Sequence, residues 1–289
     1  LPRRLTAVVV LLSSALCAYA DANRLAELVR QAAEHSRQGR QQEAEAAAAE
    51  ALALALSSSA RDFEVAASLN DLAVLAYAQG YINRAAELFE RARQGYQAVV
   101  APDDIRLAHV QYNFAGVLME QGKYAQAESL YRVSLQIREK MLGPSHPLLA
   151  EVWNNLGFLY LKQAKYTEAE EWLVKAIAAW ENASGPDAAF APIALSNLAL
   201  LRRLQGRLDD AESLYKRILA AEEQVFGRQH PEPAVTLMSL AALYQARGSL
   251  EPAANAYRRA LAVFEATLGA QDPLTVEAKQ RLGELQAKQ

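Results

Sequence analysis

Catalytic or metal chemistry needs nucleophiles, ligands or acid–base groups at workable spacing, and few residues of this chain meet that need. The four histidines, His35, His109, His146 and His230, lie far apart, with none of the short spacings that metal ligation uses. A single cysteine, Cys17, excludes an intrachain disulfide framework and any zinc site built on cysteines. Paired acids stand at Glu170-Glu171, Asp209-Asp210 and Glu222-Glu223, on stretches that read as helices or helix starts, where solvated charge is the ordinary state. No Gly-rich phosphate loop, H-E-x-x-H or G-x-S-x-G is present. These observations predict a protein that is not an enzyme and carries neither metal nor cofactor.

The elements that would position any site are helices. The chain has 289 residues, 52% hydrophobic, including 59 Ala and 42 Leu but only 10 Pro and 13 Gly. That mixture is too apolar for a disordered tail, too charged for a multi-span membrane protein and rich in strong helix formers, so the class is all-α. A net charge of −3, without a long run of like charges, argues against general nucleic-acid binding, which draws on clustered Lys and Arg.

The first twenty residues read as an address. Arg3 and Arg4 precede an apolar stretch from Leu5 to Leu16, and Ala18-Tyr19-Ala20 follows, the order of a secretory signal with cleavage after Ala20. The apolar run is shorter than the ~20 residues a transmembrane helix needs, with an uncleaved N-terminal anchor as the alternative. A lipoprotein reading would acylate Cys17, but Leu16 stands where that signal wants a small residue. Loss of residues 1–20 removes Arg3, Arg4 and the cysteine, leaving 28 basic and 33 acidic side chains. A cysteine-free chain suits an oxidising compartment, so the expected location is exported, periplasmic or secreted. The sequence opens on Leu1 instead of Met, which reads as an unusual start or a slight truncation.

Internal repetition organises the remainder. Turn residues recur at Gly39, Gly80, Gly122, Ala164, Gly206 and Gly248, at intervals of 41, 42, 42, 42 and 42. Five residues after each comes an alanine, namely Ala44, Ala85, Ala127, Ala169, Ala211 and Ala253. Four further on stands Phe89, Tyr131, Leu173, Tyr215 or Tyr257, with Ala48 in the first repeat. A small residue permits close approach of two helices, and a bulky one a turn later fills the layer beside the next repeat. Trp153, Tyr160 and Tyr166 are therefore expected in the repeat core.

Trp153, Leu156, Gly157 and Tyr160, followed by Ala169, Leu173 and Ala176, resemble the tetratricopeptide repeat pattern. The 42-residue period and the connectors Leu142-Gly143-Pro144-Ser145-His146-Pro147 and Phe226-Gly227-Arg228-Gln229-His230-Pro231, echoed by Leu268-Gly269-Ala270-Gln271-Asp272-Pro273, resemble the kinesin-light-chain-like subclass found in many bacterial proteins. The resemblance implies a right-handed superhelical α-solenoid of about six helix-turn-helix repeats. Its expected divisions are a signal over 1–20, a degenerate first repeat and connector over 21–65 with Gln31 and His35 at core positions, repeats over 66–272, and a capping helix over 273–289 with Asp272 as N-cap.

By the same resemblance, first helices line a groove that holds a peptide or partner protein. Its sixth position falls on Asp71, Asn113, Asn155, Asn197 and Ser239. Short amides and hydroxyls can both donate to and accept from a peptide backbone; the alternative is helix-to-helix bonding that fixes repeat geometry. Asn70, Tyr77, Tyr112, Met119, Asn154, Phe158, Lys162, Leu200, Arg203 and Leu204 complete the expected groove, with basic groups toward its second half. The function implied is an exported interaction scaffold, with no nucleic acid partner and no membrane contact beyond the N-terminal segment. The alternative is a self-assembling structural repeat protein or a membrane-anchored assembly factor.

Overall fold

The computed structural model of the chain describes residues 23–57, 63–144, 146–184 and 191–286. The signal-like segment over 1–20, Cys17, the cleavage point after Ala20 and connector residue Ser145 lie outside the described residues. Within them are thirteen helices and no strand. The chain divides into two units, Leu1–Pro144 and Ser145–Gln289.

The first unit holds α1 (23–37), α2 (Gln41–Ser57), α3 (Phe63–Ala78), α4 (Ile82–Val99), α5 (Ile105–Glu120) and α6 (Tyr124–Leu142). The second holds α7 (Pro147–Lys162), α8 (Tyr166–Ser184), α9 (Ala191–Leu204), α10 (Leu208–Phe226), α11 (Pro231–Ala246), α12 (Leu250–Thr267) and α13 (Pro273–Gln286). Packing is sequential in each: α3 lies on α4 and α4 on α5, and likewise each of α8 to α13 lies on the helix before it. This is an all-α solenoid of helix-turn-helix repeats.

Every expected turn residue has positive φ, from 70° to 81° at the five glycines and 58° at Ala164, the one non-glycine with positive φ among the described residues. The turns close alike. The N–H of the next residue bonds the carbonyl five residues back, as in Tyr81 to Ala76 at 2.9 Å and Lys165 to Tyr160 at 2.9 Å. This left-handed closure satisfies carbonyls that the helix end would leave orphaned. The alanines five residues on are all fully buried, and Phe89, Tyr131, Leu173, Tyr215 and Tyr257 are buried beside them. Trp153 and Tyr160 are core; Tyr166 is half-buried at the start of α8.

The connectors work as caps. Nδ1 of His146 accepts from the Leu148 N–H at 3.2 Å and Nδ1 of His230 from the Glu232 N–H at 3.3 Å, each just before the proline that opens a helix. Asp272 does the same for Leu274 at 2.9 Å. The helix it opens, α13, covers the last repeat with Ala278 and Leu285 against Phe264 and Ala260.

The first repeat differs from expectation at Gln31. Its side chain is exposed and donates to Glu27 at 3.0 Å, while Leu25, Leu28, Val29 and Ala32 form the buried side of α1 and His35 is half-buried. Where later repeats have a bulky residue, Ala48 helps to line a cavity of about 230 Å³ with Leu52, Leu72 and Ala76. Among the described residues, no helix is long and apolar enough to cross a membrane.

Candidate functional site

In the first unit, α3 and α5 carry six of the expected groove residues, of which Met119 is half-buried near the end of α5. Asn70 donates from Nδ2 to Oδ1 of Asp71 at 3.1 Å, while its own Oδ1 is buried without a hydrogen-bond partner. Asp71 lines a cavity of about 430 Å³ between α1 and α3, with Val29, Ala33, Val74 and Ala78 as its apolar wall. Asp71 is exposed as a residue, yet partial desolvation of its carboxyl raises its pKa above the ordinary value, opposed by the bond from Asn70. Tyr77 is exposed on the same helix, its hydroxyl pKa raised first by desolvation and then by Glu120.

Tyr112 is only half-buried but is already engaged. Its ring packs edge-on against Tyr131 at 5.7 Å, and the buried guanidinium of Arg138 lies 4.7 Å from its centroid. Such contacts fix the ring within the repeat, so only part of it faces outward. Asn113 is half-buried next to it.

The second unit brings its expected residues closer together. Asn197 on α9 donates to Oδ1 of Asn154 on α7 at 2.9 Å, and Asn154 donates to Oδ1 of Asn155 at 3.2 Å. Asn154 is 6% exposed, whereas Asn155 and Asn197 are half-buried. The amide line thus bonds helix to helix, and Asn197 has a second N–H and a carbonyl beyond that bond. One turn on, Lys162 lies 5.0 Å above the ring of Phe158.

Arg203 and Ser239 meet beside Tyr215, a buried residue of α10. Burial raises the Tyr215 pKa, opposed by the charge of Arg203 and by hydrogen bonding with Ser239 and Arg203. Both residues line a cavity of about 680 Å³ reached by α9, α11, α12 and α13, its wall including Met238, Gln245, Tyr257 and Arg281. A volume of several hundred Å³ with a few polar groups in an apolar wall is of ligand-binding size. The expected residues Leu200 and Leu204 lie on α9, half-buried and exposed respectively.

Sequence reasoning missed Arg281, although a signal for it existed: it stands 42 residues after Ser239, and so continues the same register into α13. It also missed the ion pair between Arg202, 9% exposed on α9, and Glu170 on α8, which crosses repeats and has no motif of its own. Arg202 holds the Glu170 carboxyl below its ordinary pKa. Among the described residues, no three His, Cys, Asp or Glu side chains are grouped to hold a metal ion.

A tetratricopeptide repeat model matches residues 105–188 and 190–266, and a second tetratricopeptide repeat model matches residues 65–106. No curated protein is significantly similar in sequence. Solved structures are similar in fold. BtubC (BKLC) from P. vanneervenii is 23% identical with a TM-score of 0.62, covering 85% of this chain and 94% of that one. A structure from Podosopora anserina, described as kinesin light chain nearly identical TPR-like repeats, is 21% identical with a TM-score of 0.58, covering 69% and 95%. Aspartyl phosphate phosphatase F from Bacillus subtilis is 15% identical with a TM-score of 0.61, covering 92% and 76%. At these identities the likeness is one of fold.

Proposed function

Because the chain belongs to the tetratricopeptide repeat family, we propose that it is a non-enzymatic scaffold whose first helices hold an extended segment of a partner protein. One observation carries this reading: Asn155, Asn197 and Ser239, at 42-residue intervals on α7, α9 and α11, are all half-buried polar side chains, and the last of them opens onto a 680 Å³ cavity. Amides and hydroxyls in a line can serve the alternating N–H and C=O groups of a main chain, giving affinity that does not depend on side-chain sequence. Phe158, Met238 and Val235 add apolar contact, while Lys162 and Arg203 favour acidic segments. The name phosphatase belongs to one protein of similar fold and is not carried over.

The test measures capture from a random peptide library by the full chain and by Asn155→Ala with Ser239→Ala. Asn197 is kept because its bond to Asn154 joins two helices. Capture is expected to fall several-fold with melting nearly unchanged. A large fall in melting would instead assign these side chains to holding the fold.

The same proposal includes export, on the strength of Arg3, Arg4, the Leu5 to Leu16 run and Ala18-Tyr19-Ala20. N-terminal sequencing of the exported fraction is expected to begin at Asp21. An intact N-terminus found in membranes would favour a retained anchor.

A further inference from the structure

The second helix of the first repeat lacks a ring that four later repeats supply. Phe89, Tyr131, Tyr215 and Tyr257 are buried four residues after the recurring alanine, whereas α2 has Ala48 there. Between the second and third repeats that ring meets another: Phe89 stacks on Phe114 of α5 at 6.4 Å. The residue of α3 in the Phe114 register, 42 positions earlier, is Leu72. Ala48 and Leu72 therefore leave open the cavity of about 230 Å³, whose apolar wall also includes Leu52, Ala76 and Leu88. Its two charged lining residues, Glu45 and Arg84, cancel. Both are already engaged, since Tyr81 donates to Glu45 at 3.2 Å and Arg84 pairs with Glu87 at 2.9 Å. Gln79 lines the cavity as well. One repeat later Gln121 donates from Nε2 to Asn83 at 3.0 Å, but Nε2 of Gln79 is buried without a hydrogen-bond partner among the described residues.

We propose that this cavity binds a small, uncharged phenol, which supplies the ring that the first repeat is missing. Size admits it: an apolar cavity of ~150 Å³ takes up benzene, and the space here leaves room for ring substituents. Shape favours it, because a ring beside Ala48 would lie against Leu72 as Phe89 lies against Phe114. Charge selects against ions. A ligand that kept a full charge would leave water for a wall of Leu and Ala with no net charge to compensate it. The hydroxyl answers Gln79, since a phenol oxygen accepts as well as donates, and a buried amide N–H left unbonded costs more than its bond contributes. A bound ring would touch α2, α3 and α4 together and so tie the first repeat to the second. None of the expected groove residues lines this cavity, so the site stands independently of peptide capture.

The test titrates the full chain calorimetrically with p-cresol, which is the tyrosine side chain as a free molecule, and with toluene and 4-hydroxybenzoate. Saturable binding of p-cresol at one site is expected, about three- to tenfold tighter than toluene and at least about tenfold tighter than 4-hydroxybenzoate. Ala48→Phe should weaken p-cresol at least about tenfold by filling the space from α2. Leu72→Phe fills it from α3 with the residue that α5 already carries at this register, and serves as the second variant should circular dichroism show Ala48→Phe to be misfolded. Gln79→Leu should bring p-cresol and toluene to the same affinity. Absence of p-cresol binding to the parent overturns the proposal, as does binding that persists unchanged in a folded variant with the cavity filled. Equal affinity of the parent for toluene and p-cresol overturns the role given to the hydroxyl and Gln79, and binding of 4-hydroxybenzoate as tightly as p-cresol overturns the selection against charge.

Discussion

Asn197 donates a hydrogen bond to Asn154 at 2.9 Å across two successive first helices, from a position 43 residues later in the chain. Asn154 passes the interaction on to Asn155, so one buried amide holds two neighbours. Truncating it leaves the half-buried Asn197 amide without its acceptor. Asn154→Ala is therefore expected to cost about 1–2 kcal/mol, and Asn155→Ala less than about 1 kcal/mol. Urea unfolding of the two variants at equal m-value compares them; equal losses would remove Asn154 from its central place.

The repeat itself was legible because its requirements are local: a left-handed turn, a small residue for close approach, a cap before a proline. Ala164 stands at the turn position of the repeat pattern without being a glycine, and its φ of 58° agrees. Contacts between helices were less legible. Nothing near Tyr112 in sequence tells that Tyr131 and Arg138 hold its ring, whereas Leu25, Leu28, Val29 and Ala32 already mark a helical face that leaves Gln31 outside. Arg281 was hidden differently, by treating α13 as a lid when its register makes it another first helix.

Ala164 adopts a conformation that glycine takes in the other five turns. A left-handed L-residue costs about 1–2 kcal/mol, against which a glycine loses an extra ~0.5–1 kcal/mol of unfolded-chain entropy. Ala164→Gly is expected to stabilise the second unit by about 0.5–1 kcal/mol, and Gly122→Ala to destabilise the first by a similar amount. Denaturation midpoints check both signs.

Glu222 and Glu170 are expected to give opposite pH responses. Burial raises the Glu222 pKa, opposed by the bond that Thr236 donates to it at 2.7 Å, with Glu232 a further raising influence. For a raised folded pKa, the stabilising contribution is complete below the unfolded pKa and is lost as pH rises through the folded one. Glu222→Gln should therefore stabilise at neutral pH and make little difference in acid. Arg202 lowers the Glu170 pKa, so that contribution exists above the unfolded pKa and is lost as pH falls through the folded value. Glu170→Gln should destabilise at neutral pH, leaving Arg202 without its partner, and converge on the parent in acid. Thermal melts over a pH series would show the two difference curves, and curves of the same sign would contradict the assignment.

Gly157 marks a close approach of two helices in the fourth repeat. A Cβ built there would lie 2.6 Å and 2.8 Å from Cγ and Cδ2 of Leu173 and 3.2 Å from the carbonyl oxygen of Ala169. Leu173 must turn aside, and the Ala169 carbonyl, which is backbone, must give by a few tenths of an ångström. Repeats two, three, five and six place Ala73, Ala115, Ala199 and Ala241 at this point, all fully buried, and pair them with Phe89, Tyr131, Tyr215 and Tyr257 instead of leucine. Gly157 and Leu173 thus form a matched pair. Gly157→Ala is expected to destabilise by about 1–3 kcal/mol through overpacking, and Leu173→Ala by about 2–5 kcal/mol through loss of core volume. Combined, they should cost less than the sum by about 1 kcal/mol or more, because the small residue at 173 makes room for the new methyl. Strict additivity in a double-mutant cycle would mean that the Ala169 carbonyl, and not the leucine, sets the distance between α7 and α8.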